Sequence, residues 1–402
     1  MLKKDNFFKS YFINSGKYYK NINKTKKIYN HFLKDLENKK IPLLESYQKD
    51  YELDFSKKMI KKFSKYKNIV LIGMGGSILG TKSIFSFLKN KIKKKVFFFD
   101  NLDYDLNLKY SKIKNLKNTC FIVVSKSGNT LETLVNLNSI FSKNLLKKKL
   151  IIISEIKDSA LMSIANKYSA EIIEHRDFIG GRYSVLSEVG MFPAALMGLN
   201  LEKFKNLKVL VKNKNFVSSL IQNVAAIFTL YSAGIKNSVI LNYDSGLNDL
   251  AYWYQQLTAE SLGKNNKGIN PIVSIGPKDH HGLLQLYLDG PRDKFFTFFN
   301  SSNKTGKFKV KVEAVPKNMN FLKNKNLKKI IDVQCKATKN IFRYKKIPFR
   351  QIIFNKKSEK ELGEIFTFFV LETILLSKLM HINPFNQPAV EQVKVETKRL
   401  LK

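Results

Sequence analysis

Residues 68–80, "NIVLIGMGGSILG", hold a short apolar run, a glycine-rich turn and the start of a helix. An apolar run that is continuous, not alternating, suits a parallel strand buried on both faces. The unit recurs. "KVFFFD", "NTCFIVVS", "KKLIIIS" and "AEIIEH" are further short apolar runs, separated by helix-length segments. Such a βαβ series predicts a doubly wound α/β sandwich. After "GGRYSVLSEVGMFPAALMG" the pattern begins again with a long helix ("FVSSLIQNVAAIFTLYSAG"), "SVILNY", a helix ("LNDLAYWYQQLTAESLG") and "PIVSIG". "FFTFFN", "KFKVKVE" and "FRQIIFN" read as later strands, with a Lys-rich helical insertion over residues 320–345. A last long helix reaches about His381, and "NPFNQP" breaks it before a C-terminal helix, "AVEQVKVETKRLLK".

The expected class is therefore α/β, with two doubly wound parallel-sheet sandwiches and helical segments at both ends. Residues 1–44 read as a polar, helix-rich lead-in without a clear core face. Residues 45–200 form the first expected domain, 201–382 the second and 383–402 a C-terminal helical arm. A chain of 402 residues has two domains as its natural prior.

Composition narrows the function classes. "MLKKDNFFKSYF" lacks the apolar core of a signal peptide, and "IFTFFVLETILL" carries Glu372 and is too short for a bilayer span. Cys120 and Cys335 are the only cysteines, which supplies neither a disulfide framework nor zinc spacing and fits a reducing cytoplasm. The net charge is +39, yet only six of the 71 basic residues are Arg. A nucleic-acid binder favours Arg and clusters its charge. Here lysines are scattered through every segment, alongside abundant Asn, Ile and Phe from A/T-rich codons, so no nucleic-acid partner is expected.

Several loops gather chemistry. In residues 123–133, "VVSKSGNTLET", a strand ends, a polar loop turns and a helix begins near Thr130. A helix start offers unpaired N–H groups and a favourable dipole to an anion. Ser125, Ser127, Thr130 and Thr133 add hydroxyls, which suits a phosphomonoester. The plainer reading is an N-cap, but one cap needs only one such residue. "GMGGSILG" allows a ligand close to the backbone, without the spacing of a dinucleotide fingerprint or the ending of a P-loop. "GGRYS" sets Arg182 after two glycines that clear space around a guanidinium, where an exposed Arg is usually only surface. Glu260, in "QQLTAESLGK", is by itself a solvated helix residue. "DHHG" pairs His280 with His281, and lacks further ligands for a metal.

Together these segments resemble the glucose-6-phosphate isomerase family of tandem SIS-type domains, from about residue 65 to the C-terminus. Residues 177–190, "DFIGGRYSVLSEVG", follow the family's first signature except at Glu188, where a small residue or Pro is usual. Residues 377–394, "SKLMHINPFNQPAVEQVK", follow the second, with Ala389 in place of the usual Gly and Asn386 where many members have Asp. His280 stands where Gln is common.

The resemblance implies roles residue by residue. Ser125, Ser127, Thr130 and Thr133 hold the 6-phosphate, with Lys126 beside them, and Glu132 helps order the site. Glu260 is the catalytic base, His281 and Lys394 serve ring opening, and Gly181 and Arg182 flank the developing enediolate. Ser77 contacts the sugar. The implied activity is interconversion of glucose 6-phosphate and fructose 6-phosphate in glycolysis and gluconeogenesis. It uses no cofactor and no metal, in a homodimer with shared active sites. The rivals are a dual isomerase that also takes mannose 6-phosphate and a non-catalytic sugar-phosphate sensor, which would need no base.

Overall fold

The computed structural model describes residues 8, 11–12, 14–140, 148–302, 308–311, 313 and 316–402. Its first sheet contains β1 (Asn68–Gly73), β2 (Lys95–Phe99), β3 (Thr119–Val124), β4 (Leu150–Ser154) and β5 (Glu171–Glu174), in the order β2-β1-β3-β4-β5. Every pairing is parallel. All residues of β1, β3 and β4 are buried, the consequence of helices covering both faces. The second sheet contains β6 (Asn237–Asn242), β7 (Asn270–Ile275), β8 (Lys294–Ser301) and β9 (Phe349–Phe354), also parallel, in the order β7-β6-β8-β9.

The principal helices are α1 (Gly16–Glu37), α2 (Gly76–Phe87), α3 (Leu131–Ser139), α4 (Glu188–Leu196), α5 (Lys214–Ser232), α6 (Asn248–Leu262), α7 (Leu327–Tyr344), α8 (Glu359–Met380) and α9 (Ala389–Leu400). The two α/β units meet chiefly where α2, which follows β1, packs on α6, which follows β6. Ser83 Oγ on α2 donates to the Asp249 carbonyl at 2.9 Å, fixing the start of α6 against α2. Among the described residues, no helix is long and apolar enough to cross a membrane.

Three expectations change. First, α1 has a core face: Tyr18, Asn21, Thr25, Tyr29 and Phe32 are buried at helical spacing, and the helix packs on α5 and α8. Asn21 and Thr25 make part of that face polar, which hides it from an apolar count. Asn21 Nδ2 donates to Thr229 Oγ1 at 2.9 Å and Tyr29 OH to the Val211 carbonyl at 2.9 Å, so burial leaves these groups satisfied. Second, the Lys-rich segment over 320–345 is no insertion. Its helix α7 is the crossover between β8 and β9, and it buries Cys335, Thr338, Lys339 and Phe342. Third, the described residues of "KFKVKVE" join neither sheet: residues 307 and 312 lie outside the described residues, and Lys309 makes only an isolated antiparallel bridge with Asn326.

Candidate active site

In the first sheet the chain leaves β1 for β2 on one side and then returns to β3 on the other. The strand order therefore reverses between β1 and β3, and ligands of open α/β sheets bind outside the carboxyl ends of strands at such a point. The glycine turn follows β1 and the hydroxyl-rich loop follows β3. Gly75 has φ +52° and ψ −123°, a conformation that favours glycine. Gly76 is required for a different reason. A Cβ there would lie 2.2 Å from the Gly181 carbonyl carbon, so the "GMGG" turn and the "GGR" loop touch backbone to backbone.

The loop after β3 is not a simple helix cap. Thr130 is the N-cap of α3, yet no side chain caps that helix. Instead the Thr130 and Ser125 hydroxyls lie 2.8 Å apart, with Ser125 buried at the strand end. Gly128, at φ +69°, turns the loop, and a Cβ there would strike Ser159. Ser127 is exposed, and its Oγ accepts from the Asn129 N–H at 3.3 Å. Thr133 is fully buried, and its hydroxyl finds no hydrogen-bond partner among the described residues. Lys126 Nζ donates to the Asp177 carbonyl at 2.6 Å and lies 3.6 Å from Glu155. Glu132, in the first turn of α3, is half-buried. Ser77, in the first turn of α2, is half-buried at the neighbouring strand end.

Arg182 and Glu260 come together across the two α/β units. Arg182 is 2% exposed, whereas the Glu260 side chain keeps 28% of its surface open. Arg182 Nη1 donates to Glu260 Oε2 at 3.2 Å, and its Nε donates to Ser261 Oγ at 2.8 Å. The remaining donors reach the segment after α8: the Pro384 carbonyl, the Asn386 carbonyl and Gln387 Oε1. The other Glu260 oxygen, Oε1, accepts from Gln256 Nε2 at 2.8 Å. Sequence reasoning passed over Gln256, although its i,i+4 spacing to Glu260 on one helix was a usable signal. It also passed over Gln387, which only the fold brings to Arg182, and Lys264. The Lys264 ammonium donates to the Ser261 carbonyl at 2.8 Å. Burial, reinforced by Arg182 and opposed by Glu260, lowers the Lys264 pKa to about 8.

His281 and Lys394 make no hydrogen bond or ion pair with this cluster. His281 is exposed after β7, and its ring makes no hydrogen bond to a described residue. Lys394 lies on α9, which buries none of its residues, and its ammonium sits 3.1 Å from Glu391. Two departures from the family pattern, Glu188 and His280, have structural partners. Glu188 is buried and accepts from Tyr51 OH at 3.0 Å and the Asp54 N–H at 3.2 Å. His280 Nε2 lies 2.6 Å from Tyr243 OH, and Ala389 begins the exposed α9. Among the described residues, no three His, Cys, Asp or Glu side chains are grouped to hold a metal.

The family model described as phosphoglucose isomerase matches residues 57–275, a span that holds the glycine turn, the loop after β3, Arg182 and Glu260. A glucose-6-phosphate isomerase of Methanocaldococcus jannaschii is 34% identical over 352 residues, covering 85% of this chain and 86% of the relative. A probable glucose-6-phosphate isomerase of Methanococcus maripaludis is 32% identical, covering 88% and 81%. Among solved structures, a hypothetical protein from Thermus thermophilus superposes over the full length of both chains with a TM-score of 0.83 at 22% identity, a likeness of fold. Matched over more than half its length by the family model, and a third identical to relatives of similar size, the chain belongs to the phosphoglucose isomerase family.

Proposed function

We propose that this protein interconverts glucose 6-phosphate and fructose 6-phosphate, the step that links these sugars in glycolysis and gluconeogenesis. One observation carries the reading. A partly exposed carboxylate, Glu260, accepts at 3.2 Å from the buried Arg182 guanidinium, whose loop meets the glycine turn after β1 at the switch point that the hydroxyl-rich loop after β3 also borders. The loop with Ser125, Ser127, Thr130 and Thr133 binds the phosphate, with Lys126 adding charge, and so fixes the sugar relative to Glu260. Ser77 and Gly181 border the sugar, and Glu132 orders the loop.

Once the ring is open, Glu260 removes the proton from C2 of the aldose. The released electron pair forms the C1–C2 double bond, and negative charge moves to O1 of a cis-enediolate. Arg182 faces that charge with fixed donors, where preorganised charge counts most. Glu260 returns its proton to C1, the O2 hydroxyl gives its proton to O1, and the ketose results. Gln256 orients the base. His281 and Lys394 serve ring opening, with its proton exchange at the ring oxygen. Because neither bonds to Glu260 or Arg182 within one chain, we assign His281 of each site to the second copy of a homodimer.

A coupled assay on purified protein with fructose 6-phosphate tests the reaction; absence of glucose 6-phosphate formation refutes it. Mixing Glu260→Gln with His281→Ala protein under subunit exchange tests the shared site. Heterodimers would carry one site with both defects and one with neither, so activity returns. Proven exchange without recovery refutes the sharing.

A further inference from the structure

The opposite end of the first sheet carries a feature with no part in the reaction above. Lys67 immediately precedes β1 and Lys95 opens β2, so both stand at the amino ends of adjacent strands, where Asn68 pairs with Lys95. β1 separates this end from the glycine turn by about 17 Å of strand. Here Lys65, Lys67, Lys93, Lys94, Lys95 and Lys114 surround a cavity of about 490 Å³ that no carboxylate lines. At the chain-wide ratio of 32 acidic to 71 basic residues, six lysines would bring about three carboxylates with them. None of the six forms an ion pair with a described residue, although lysines elsewhere pair repeatedly, as Lys82 does with Asp100 at 2.5 Å.

The surroundings are built. Tyr66 and Asn68 are buried in the floor. Asn68 Nδ2 donates to the Lys114 carbonyl at 2.9 Å, and Asn118 Oδ1 accepts from the Lys67 N–H at 3.1 Å, so two of the lysine-bearing loops are pinned to the sheet. Lys94 has a structural task, donating to the Ser64 and Tyr66 carbonyls at 2.7 and 2.6 Å. The other five are exposed, Lys65 with its ammonium 5.4 Å from the Tyr66 ring centroid. Nearby, Lys149 has its pKa lowered by burial and then by Lys117, in keeping with a positive field along this edge.

We infer that this lysine ring is a binding site for a linear oligophosphate, separate from the sugar-phosphate site. Lysines are compact point charges without a planar fork, so they suit a chain of phosphates more than one oriented carboxylate or phosphate. A single phosphate can reach few of the five ammonium groups, whereas three linked phosphates can engage several. Inorganic chains and nucleoside triphosphates share this chemistry.

The test is calorimetric titration of the full chain with tripolyphosphate, ATP and orthophosphate at 0.15 M salt. Tripolyphosphate should bind at least tenfold more tightly than orthophosphate. Parity between ATP and tripolyphosphate assigns the site to the phosphate chain alone, and a tenfold preference for ATP to a nucleotide. Lys67→Gln/Lys93→Gln/Lys95→Gln/Lys114→Gln should weaken tripolyphosphate binding at least tenfold. Two controls should change it less than twofold: Lys17→Gln/Lys20→Gln/Lys24→Gln/Lys27→Gln on exposed positions of α1, with the same charge loss, and Thr130→Ala at the loop after β3. Equal weakening by the two quadruple variants would reduce the effect to diffuse charge and overturn the site. So would unchanged binding in the first variant, loss in Thr130→Ala, or orthophosphate binding as tightly as tripolyphosphate.

Discussion

Two arginines are each 2% exposed, and they differ in what surrounds them. Arg350 on β9 meets Glu372 of α8 through both Nη atoms, and Glu372 is fully buried. Its remaining contacts are Tyr254 OH at 3.0 Å, Thr297 Oγ1 at 3.0 Å and Asn223 Oδ1 at 3.2 Å, and Tyr254 OH also donates to Glu372 at 2.7 Å. The charge is neutralised inside the second unit. Arg182 meets one carboxylate oxygen and otherwise carbonyls, an amide oxygen and a hydroxyl. Those neutral partners orient the guanidinium without cancelling it, and its one carboxylate is partly open to solvent. Burial alone therefore does not distinguish the arginine proposed to face the substrate from a structural one; the charge of its partners does.

The contrast can be broken from either side. The largest expected effect is on stability: Glu372→Gln leaves Arg350 buried without its counter-charge and should cost about 3–5 kcal/mol in urea unfolding. Arg182→Lys should cost less stability, about 1–3 kcal/mol from the carbonyl and amide acceptors it leaves unpaired, while kcat falls about 10²–10³-fold as the charged transition state loses its oriented donors. A large stability loss from Arg182→Lys with unaltered kcat would make the two arginines alike.

A third buried cation sharpens the comparison at smaller scale. Lys205 is 3% exposed, its ammonium lies 4.7 Å from the Tyr51 ring centroid, and it has no hydrogen-bond partner among the described residues. Burial, opposed by Glu188, lowers its pKa to about 8. The folded chain thus releases this proton near pH 8, while the unfolded chain holds it to about pH 10.4. Between those values the unfolded state binds more protons, so this residue's contribution to stability rises with pH. Lys205→Met should accordingly stabilise by on the order of 2 kcal/mol at pH 7, with the gap closing toward pH 10 in denaturant titrations. A gap that stays constant with pH would show that Lys205 titrates as an exposed lysine.

The sheets were legible because β1, β3 and β4 are continuous apolar runs, and burial on both faces leaves such a run little alternative. "KFKVKVE" misled because its alternation fits a half-buried strand, yet Phe308 is 62% exposed and the described residues of the segment pair with no sheet strand. In α1 the reverse happened. Its core face includes Asn21 and Thr25, whose polarity is satisfied by tertiary and backbone partners that no apolar pattern contains. At the site, the loop after β3 and the glycine turn were legible as local chemistry. The contact of Arg182 with the segment around Gln387 was not, since it joins residues far apart in the chain and depends on how α8 ends.

The central claim is that Glu260 carries the proton between C1 and C2. The direct measurement incubates glucose 6-phosphate with wild-type and Glu260→Gln protein in deuterium oxide and follows label at C2 by nuclear magnetic resonance. A carboxylate that holds the proton can exchange it with solvent, so the wild type should incorporate deuterium. Glu260→Gln should do so at least about 10²–10⁴-fold more slowly, with its unfolding midpoint and its binding of the sugar phosphate retained. Deuterium entering C2 at the wild-type rate in Glu260→Gln would contradict the account.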